Sequence, residues 1–387
     1  MFYINLMENF STMKKYFSSP KYYLFLFFKK VKIYFHNILE KYENAPENVE
    51  LKEFTLFLWQ HLIKNLVIDE KGYFFKTKIT NKNSPMVLSQ ARVILILSNE
   101  NSHIDPKFKS IFLVKKLTDY LIFMQDKERG LFKFNQVSWD LQDEGIASVW
   151  STLALIRAYE YTGESRYLEV AVDTVNSMIK YLYSKETSLI HTEGDYFWCL
   201  NSASTFANAC ALLLKHHYSD EIKDAMTDSI NLCLDKIADD GHYPYNMKRQ
   251  GTYLLLYHPV VMITLNNCLD SNYLDDTTRN RLIKTNKIAQ EFLLSCFDNE
   301  KRIFEPEITR YSQYIITNIT SLVALKANIS EEVKKVLLLN LTKYYKNNQL
   351  YLCKDKNNRL YNSDLYSVKD VLTIEVLYWL DIYFTDK

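Results

Sequence analysis

A polar turn that returns six times along the 387 residues is what most constrains the fold of this chain. Each copy runs from acidic or polar residues, through glycine or a substitute, to an apolar or aromatic residue. The copies are Asp69-Glu-Lys-Gly-Tyr-Phe, Asp126-Lys-Glu-Arg-Gly-Leu-Phe, Ser184-Lys-Glu-Thr-Ser-Leu-Ile, Asp239-Asp-Gly-His-Tyr, Asp298-Asn-Glu-Lys-Arg-Ile-Phe and Asp355-Lys-Asn-Asn-Arg-Leu-Tyr. With Gly72, Gly130, Ser188, Gly241, Arg302 and Arg359 as markers, the spacings are 58, 58, 53, 61 and 57 residues. A fixed period of this kind means that one supersecondary unit recurs, each copy burying its apolar face against the next.

Between markers lie two helical segments and a shorter turn. The first segment of a unit is apolar nearly all round, as in 143–162 with Ile146, Val149, Trp150, Leu153, Leu155 and Ile156, and so is predicted to be buried on most sides. The second is amphipathic, as in 165–183, where Leu168, Ala171, Val172, Val175, Ile179 and Leu182 fall at helical spacing. Between these two, Gly163 reads as a helix C-cap and Ser165 as an N-cap. Other short turns carry the same chemistry: Asp105-Pro106, Ser219-Asp220-Glu221, Asp275-Asp276-Thr277 and Ser330-Glu331-Glu332 place caps and acids at a helix start. The pattern predicts buried helices over 86–98, 143–162, 200–217, 252–270, 310–326 and 365–384. It predicts amphipathic helices over 48–66, 107–126, 165–183, 220–237, 276–297 and 330–346. Pro259 needs a kink or a first-turn position, so the fourth buried helix has an alternative start near His258.

Six inner and six outer helices in alternation close naturally into a ring. An open solenoid of helix pairs is the alternative, with its usual repeat of about 34–47 residues. On the repeat, and on the stretch Trp150-Ser-Thr-Leu-Ala-Leu-Ile-Arg-Ala-Tyr-Glu-Tyr-Thr-Gly-Glu-Ser-Arg-Tyr-Leu-Glu, the chain resembles the (α/α)6 toroids of the six-hairpin glycosidase-like and terpenoid-cyclase-like architecture. The expected fold is all-α: a toroid domain over 46–387 behind a basic, aromatic helical segment over 1–45.

Composition excludes several other classes. Seven glycines are too few for Gly-rich phosphate loops or hairpin-rich sandwiches, and neither GxGxxG nor GxxxxGK[ST] occurs. With 47 basic and 46 acidic residues, no nucleic-acid surface is indicated. The six cysteines show no metal-ligand spacing, so neither a disulfide framework nor a metal site is expected, and no cofactor is expected. No DxDD acid motif, Cys-His dipeptide or Gly-x-Ser-x-Gly elbow is present. The first 35 residues hold six lysines, one acid and twelve aromatics, which suits either peripheral contact with a membrane surface or a core helix with its lysines in water. With no convincing signal peptide, the expected location is the cytoplasm, including the inner face of the membrane; the oligomeric state is left open.

In the ring, the long turns lead to the N-termini of the inner helices, so six helix dipoles converge on one mouth that favours anions. The second unit brings Trp139, Asp140, Asp143 and Glu144, where paired carboxylates suit acid and base roles or a helix cap. The third brings His191, Trp198 and Asn201, an aromatic beside polar groups that suits a sugar ring, or a hydrophobic plug. The fourth brings His242, Tyr245, Arg249, Tyr253, Tyr257 and His258; the fifth, Arg310 and Tyr311; the sixth, Tyr361. The expected catalytic groups are His258, Tyr257, Asp143 and Glu144, with the others binding substrate. For His258 the competing reading is a satisfied core histidine. Toroids of this kind imply a carbohydrate-active enzyme, either a glycoside hydrolase or a uronic-acid lyase or epimerase, on an oligo- or polysaccharide in glycan assembly or modification. The alternatives are a non-catalytic toroid that binds a glycan or partner protein at the membrane, and a peptide- or prenyl-modifying toroid.

Overall fold

The computed structural model describes residues 51–385 apart from 76, 79–82, 85, 103, 105–108, 134–143, 186, 188, 191–198, 245–254, 256, 299–302, 305–312, 327, 347–348, 352, 355–359 and 362–368. Residues 44–387 form one compact unit. The segment 1–45 and the cap Asp105-Pro106 lie outside the described residues.

Among the described residues the helices alternate between two layers. The outer layer holds α1 (Leu51–Ile63), α3 (Ile111–Phe123), α5 (Ser165–Tyr181), α7 (Asp220–Lys236), α9 (Asp276–Ser295) and α11 (Glu331–Thr342). The inner layer holds α2 (Val87–Ser98), α4 (Glu144–Thr162), α6 (Leu200–Leu213), α8 (His258–Cys268), α10 (Ile315–Ala324) and α12 (Lys369–Thr385). Each inner helix packs on the next, and α12 packs back on α2; α11 likewise meets α1. The repeat therefore closes into a double ring, not an open solenoid.

The layers follow from the sequence pattern. In α2 every residue but Leu95 is buried, because both faces and both flanks meet protein. In α7 burial is confined to one stripe, Ile222, Ala225, Met226, Ser229, Ile230, Cys233 and Leu234. Ser219, Asp275 and Ser330 accept from the backbone N–H three residues on and cap α7, α9 and α11 as expected. Gly163 takes φ +71° after α4, whereas the residue before α5 is Glu164, so Ser165 is the first helical residue and not the cap. Pro259 sits in the first turn of α8, which settles that helix's start at His258.

The outer helices end earlier than periodicity predicts, because the residues after them enter short antiparallel hairpins. These are β1 (Leu66–Ile68) with β2 (Tyr73–Phe75), β5 (Tyr183–Ser184) with β6 (Leu189–Ile190), β7 (Phe297–Asp298) with β8 (Ile303–Phe304), and β10 (Tyr345–Lys346) with β11 (Gln349–Leu350). A Gln125–Phe132 bridge and an Ala238–His242 turn serve the same purpose in units two and four. The sixth turn of the repeat is thus the one between Lys346 and Gln349, directly after α11, and the Asp355–Tyr361 marker is corrected. That later stretch joins β12 (Cys353–Lys354) to β13 (Leu360–Tyr361), and β12 also pairs with β9 (Gln313–Tyr314). A further hairpin, β3 (Thr77–Lys78) with β4 (Asn83–Ser84), precedes α2.

Candidate functional site: the lumen of the ring

In four units a buried polar side chain near the start of the inner helix grips the strand that leaves the turn. Gln90 Nε2 donates to Tyr73 O at 2.8 Å and to Leu117 O of α3 at 2.9 Å. Ser148 Oγ accepts from Phe132 N at 2.9 Å. His258 Nδ1 accepts from Tyr243 N at 3.0 Å, while its Nε2 donates to Ala289 O of α9 at 3.0 Å. Asn318 Oδ1 accepts from Phe304 N at 3.0 Å. The gripped residues Tyr73, Phe132, Tyr243 and Phe304 are the buried aromatics that follow the turn markers. The aromatic position of the repeat is therefore a folding signal: it drops a ring into the core and presents a backbone group to the inner helix.

This corrects the catalytic expectation for His258. The side chain is fully buried, and both ring nitrogens are spent on backbone groups in an arrangement that only the neutral ring with Nε2–H satisfies. Burial, the largest cause, pushes its pKa down to about 4. Glu144 is corrected on similar grounds. It is 1% exposed, and its Oε2 meets Arg129 Nη1 at 2.8 Å, with the guanidinium lying over the Tyr181 ring at the end of outer helix α5. The carboxylate ties the second turn to α4.

His242 turns the same way. Its Nδ1 lies 2.6 Å from Asp240 Oδ1, and its ring packs on Phe292 of outer helix α9, so it braces the fourth turn from outside the lumen. Tyr257 is half-buried at the N-cap of α8. Asn201, second residue of α6, is half-buried with its Oδ1 lacking a hydrogen-bond partner. Both lie at the N-terminal end of an inner helix. Trp139, Asp140, Asp143, His191, Trp198, Tyr245, Arg249, Tyr253, Arg310 and Tyr311 lie outside the described residues, and of Tyr361 only the backbone, in β13, is described.

Two residues beyond each grip, about 200° round the helix, the side chains face the other way, into the lumen. On α2 that residue is Arg92 and on α4 it is Trp150. Arg92 Nη2 donates to Glu375 Oε1 of α12 at 3.0 Å, and its guanidinium lies 4.9 Å from the Trp150 ring centroid. Trp150 in turn meets Tyr378 of α12 edge-on at 5.2 Å. Helices α4 and α12 are not neighbours in the ring; α2 stands between them, so their contact crosses the lumen. Arg92, Trp150 and Glu375 lie about 7.5–9 Å below the first residues of their helices, by the 1.5 Å rise per residue. They pack together where α2, α4 and α12 meet. All three are at least nine-tenths buried, and Arg92 Nε has no hydrogen-bond partner among the described residues. Sequence reasoning passed over this group. Its signal was present in Arg92, the one charged residue of an otherwise uncharged inner helix.

The buried thiols Cys210, Cys233 and Cys268 have pKa values raised by burial, Cys268 to about 12, which makes them packing groups and not nucleophiles. No His, Cys, Asp and Glu cluster able to hold a metal occurs among the described residues.

No family model matches the chain, and no curated protein matches it. Solved structures do. A sugar epimerase from a ruminal bacterium aligns over 84% of this chain and 98% of its own, with TM-score 0.61 and 12% identity. The fold is an (α/α)6 toroid. Cellobiose 2-epimerase from Bacillus thermoamylovorans B4167 aligns over 90% and 99%, with TM-score 0.61 and 11% identity. A D-mannose isomerase aligns over 86% and 99%, with TM-score 0.62 and 12% identity. Identities this low establish the toroid and leave its chemistry to this chain's own residues.

Proposed function

We propose that this toroid is a carbohydrate-active enzyme whose oligo- or polysaccharide substrate enters the mouth and rests on the floor formed by Arg92, Trp150, Glu375 and Tyr378. The observation that carries the reading is the floor itself. An aromatic pair and a buried, partly unsatisfied guanidinium converge in the lumen, the combination that stacks a sugar face and donates to its oxygens. The toroids it resembles include proteins named as sugar epimerase, cellobiose 2-epimerase and mannose isomerase. Within this reading, Tyr257 and Asp143 remain the proposed proton carriers. The proposed binding groups at the rim are Trp139, Asp140, His191, Trp198, Asn201, Tyr245, Arg249, Tyr253, Arg310, Tyr311 and Tyr361. The reaction class is a glycoside hydrolase or a lyase or epimerase.

The test is a titration of the full chain against an oligosaccharide panel, read by tryptophan fluorescence, followed by product analysis by NMR. Saturable binding lost in Arg92→Ala, with turnover of a bound sugar, supports the reading. A flat titration across the panel overturns it. A second reading, a glycan-binding toroid without turnover, is favoured by the structural roles of His258 and Glu144, and saturable binding with no product would select it. The proposed location is the cytoplasmic face of the membrane, supported by the lysine- and aromatic-rich composition of residues 1–35. Co-sedimentation with anionic vesicles, lost when 1–35 are removed, checks it.

A further inference from the structure

At the floor one buried cation, Arg92, meets one buried carboxylate, Glu375. Arg92 and Glu375 are joined at 3.0 Å, with side-chain exposures of 10% and 9%. At the corresponding register, two residues beyond the grips His258 and Asn318, α8 presents Val260 and α10 presents Thr320, neither charged. We propose that Glu375 sets the charge of the sugar the mouth accepts: by neutralising Arg92 at the floor, it selects an uncharged sugar and rejects one that bears a carboxylate. The inference rests on the carbohydrate reading above and deepens it.

The selection is electrostatic. Without Glu375, the buried guanidinium over Trp150 would be a strong carboxylate anchor. With Glu375 in place, a uronate arriving at Arg92 would put a second carboxylate beside the first in a site shielded from water, where like charges repel strongly. A hydroxyl or ring oxygen meets no such penalty and can accept from Arg92 Nε–H, which has no hydrogen-bond partner among the described residues. The helix dipoles of the mouth do not reverse this, because their effect fades within the first turn and the floor lies beyond it.

The experiment measures binding of matched sugars to the full chain by calorimetry: cellobiose against cellobiouronic acid, and D-mannose against D-mannuronate. Wild type is expected to bind the neutral member of each pair about tenfold or more tightly than the charged one. Glu375→Gln, which keeps the shape and removes the charge, should shift that ratio toward the uronate by about tenfold. Arg92→Gln, which leaves Glu375 negative, should shift it the opposite way. The two shifts have opposite signs, so either variant that folds decides the matter, and a merely structural role for the pair would move neither ratio. A wild-type preference for uronates, or a ratio unchanged in a folded variant that still binds, overturns the proposal and leaves the carbohydrate reading standing. Failure of wild type to bind any of the four sugars overturns both.

Discussion

Two sets of buried polar side chains stand on the inner helices, back to back on α2, where Gln90 and Arg92 are two residues apart. Those facing outward, Gln90, Ser148, His258 and Asn318, bond to backbone groups of turns and outer helices. Those facing inward, Arg92 and Glu375, bond to each other across neighbouring inner helices, and Arg92 keeps a donor unspent. A side chain committed to backbone fixes the fold, although Gln90 also keeps its Oε1 without a partner among the described residues. A charged pair held inside a lumen is costly to bury and specifies little of the ring's topology, which four grips and twelve helices already determine. The difference separates the scaffold from the candidate site more sharply than residue type does, for the outward set contains the histidine that chemistry would have chosen first.

The largest expected effect breaks the inward set. Arg92→Ala or Glu375→Ala alone leaves an uncompensated buried charge and should cost about 3–5 kcal/mol in urea unfolding. In the outward set, His258→Ala orphans Tyr243 N–H, removes the second donor to Ala289 C=O and opens a ring-sized void. It should cost about 3 kcal/mol while leaving sugar binding per folded molecule unchanged. Loss of binding at full stability would return His258 to the site.

His258 also gives the scaffold a pH signature. Its folded pKa, about 4, lies below the unfolded value of 6.5. The unfolded state therefore binds more protons between those limits. The stabilisation is complete above pH 6.5 and is lost as pH falls toward 4, by about 3 kcal/mol in total. The difference in unfolding free energy between wild type and His258→Asn, followed across that window, should show this slope.

The smallest effect compares two glycines of positive φ. At Gly241 an added Cβ would lie 2.7 Å from Ile288 O of α9, whereas at Gly163 nothing lies within 4 Å. Gly241→Ala should cost about 2–3 kcal/mol and Gly163→Ala about 1 kcal/mol, both read from thermal unfolding.

What the sequence made legible follows the same division. Ring closure was readable because each unit repeats its own caps and apolar stripes, which are local; Ser219, Asp275, Ser330 and Pro259 announce helix starts from within a few residues. The sixth turn was misplaced because Lys346–Gln349 carries no glycine or acid, while Asp355–Tyr361 mimics the pattern. His258 was misjudged because its partners lie 15 residues before it and 31 after it and are backbone groups, which no residue letter marks. The floor was missed because Arg92 and Glu375 are 283 residues apart and meet only once the ring has closed.

The proposed division is that the inward pair serves binding and the outward set serves folding. The most direct measurement is a sugar titration of the double variant Arg92→Met/Glu375→Leu, beside its thermal unfolding. Replacing a buried ion pair by apolar side chains of similar volume is neutral or stabilising by about 1–4 kcal/mol. The variant should therefore unfold at or above the wild-type temperature and give a flat titration. Sugar binding undiminished in that folded variant would contradict the claim.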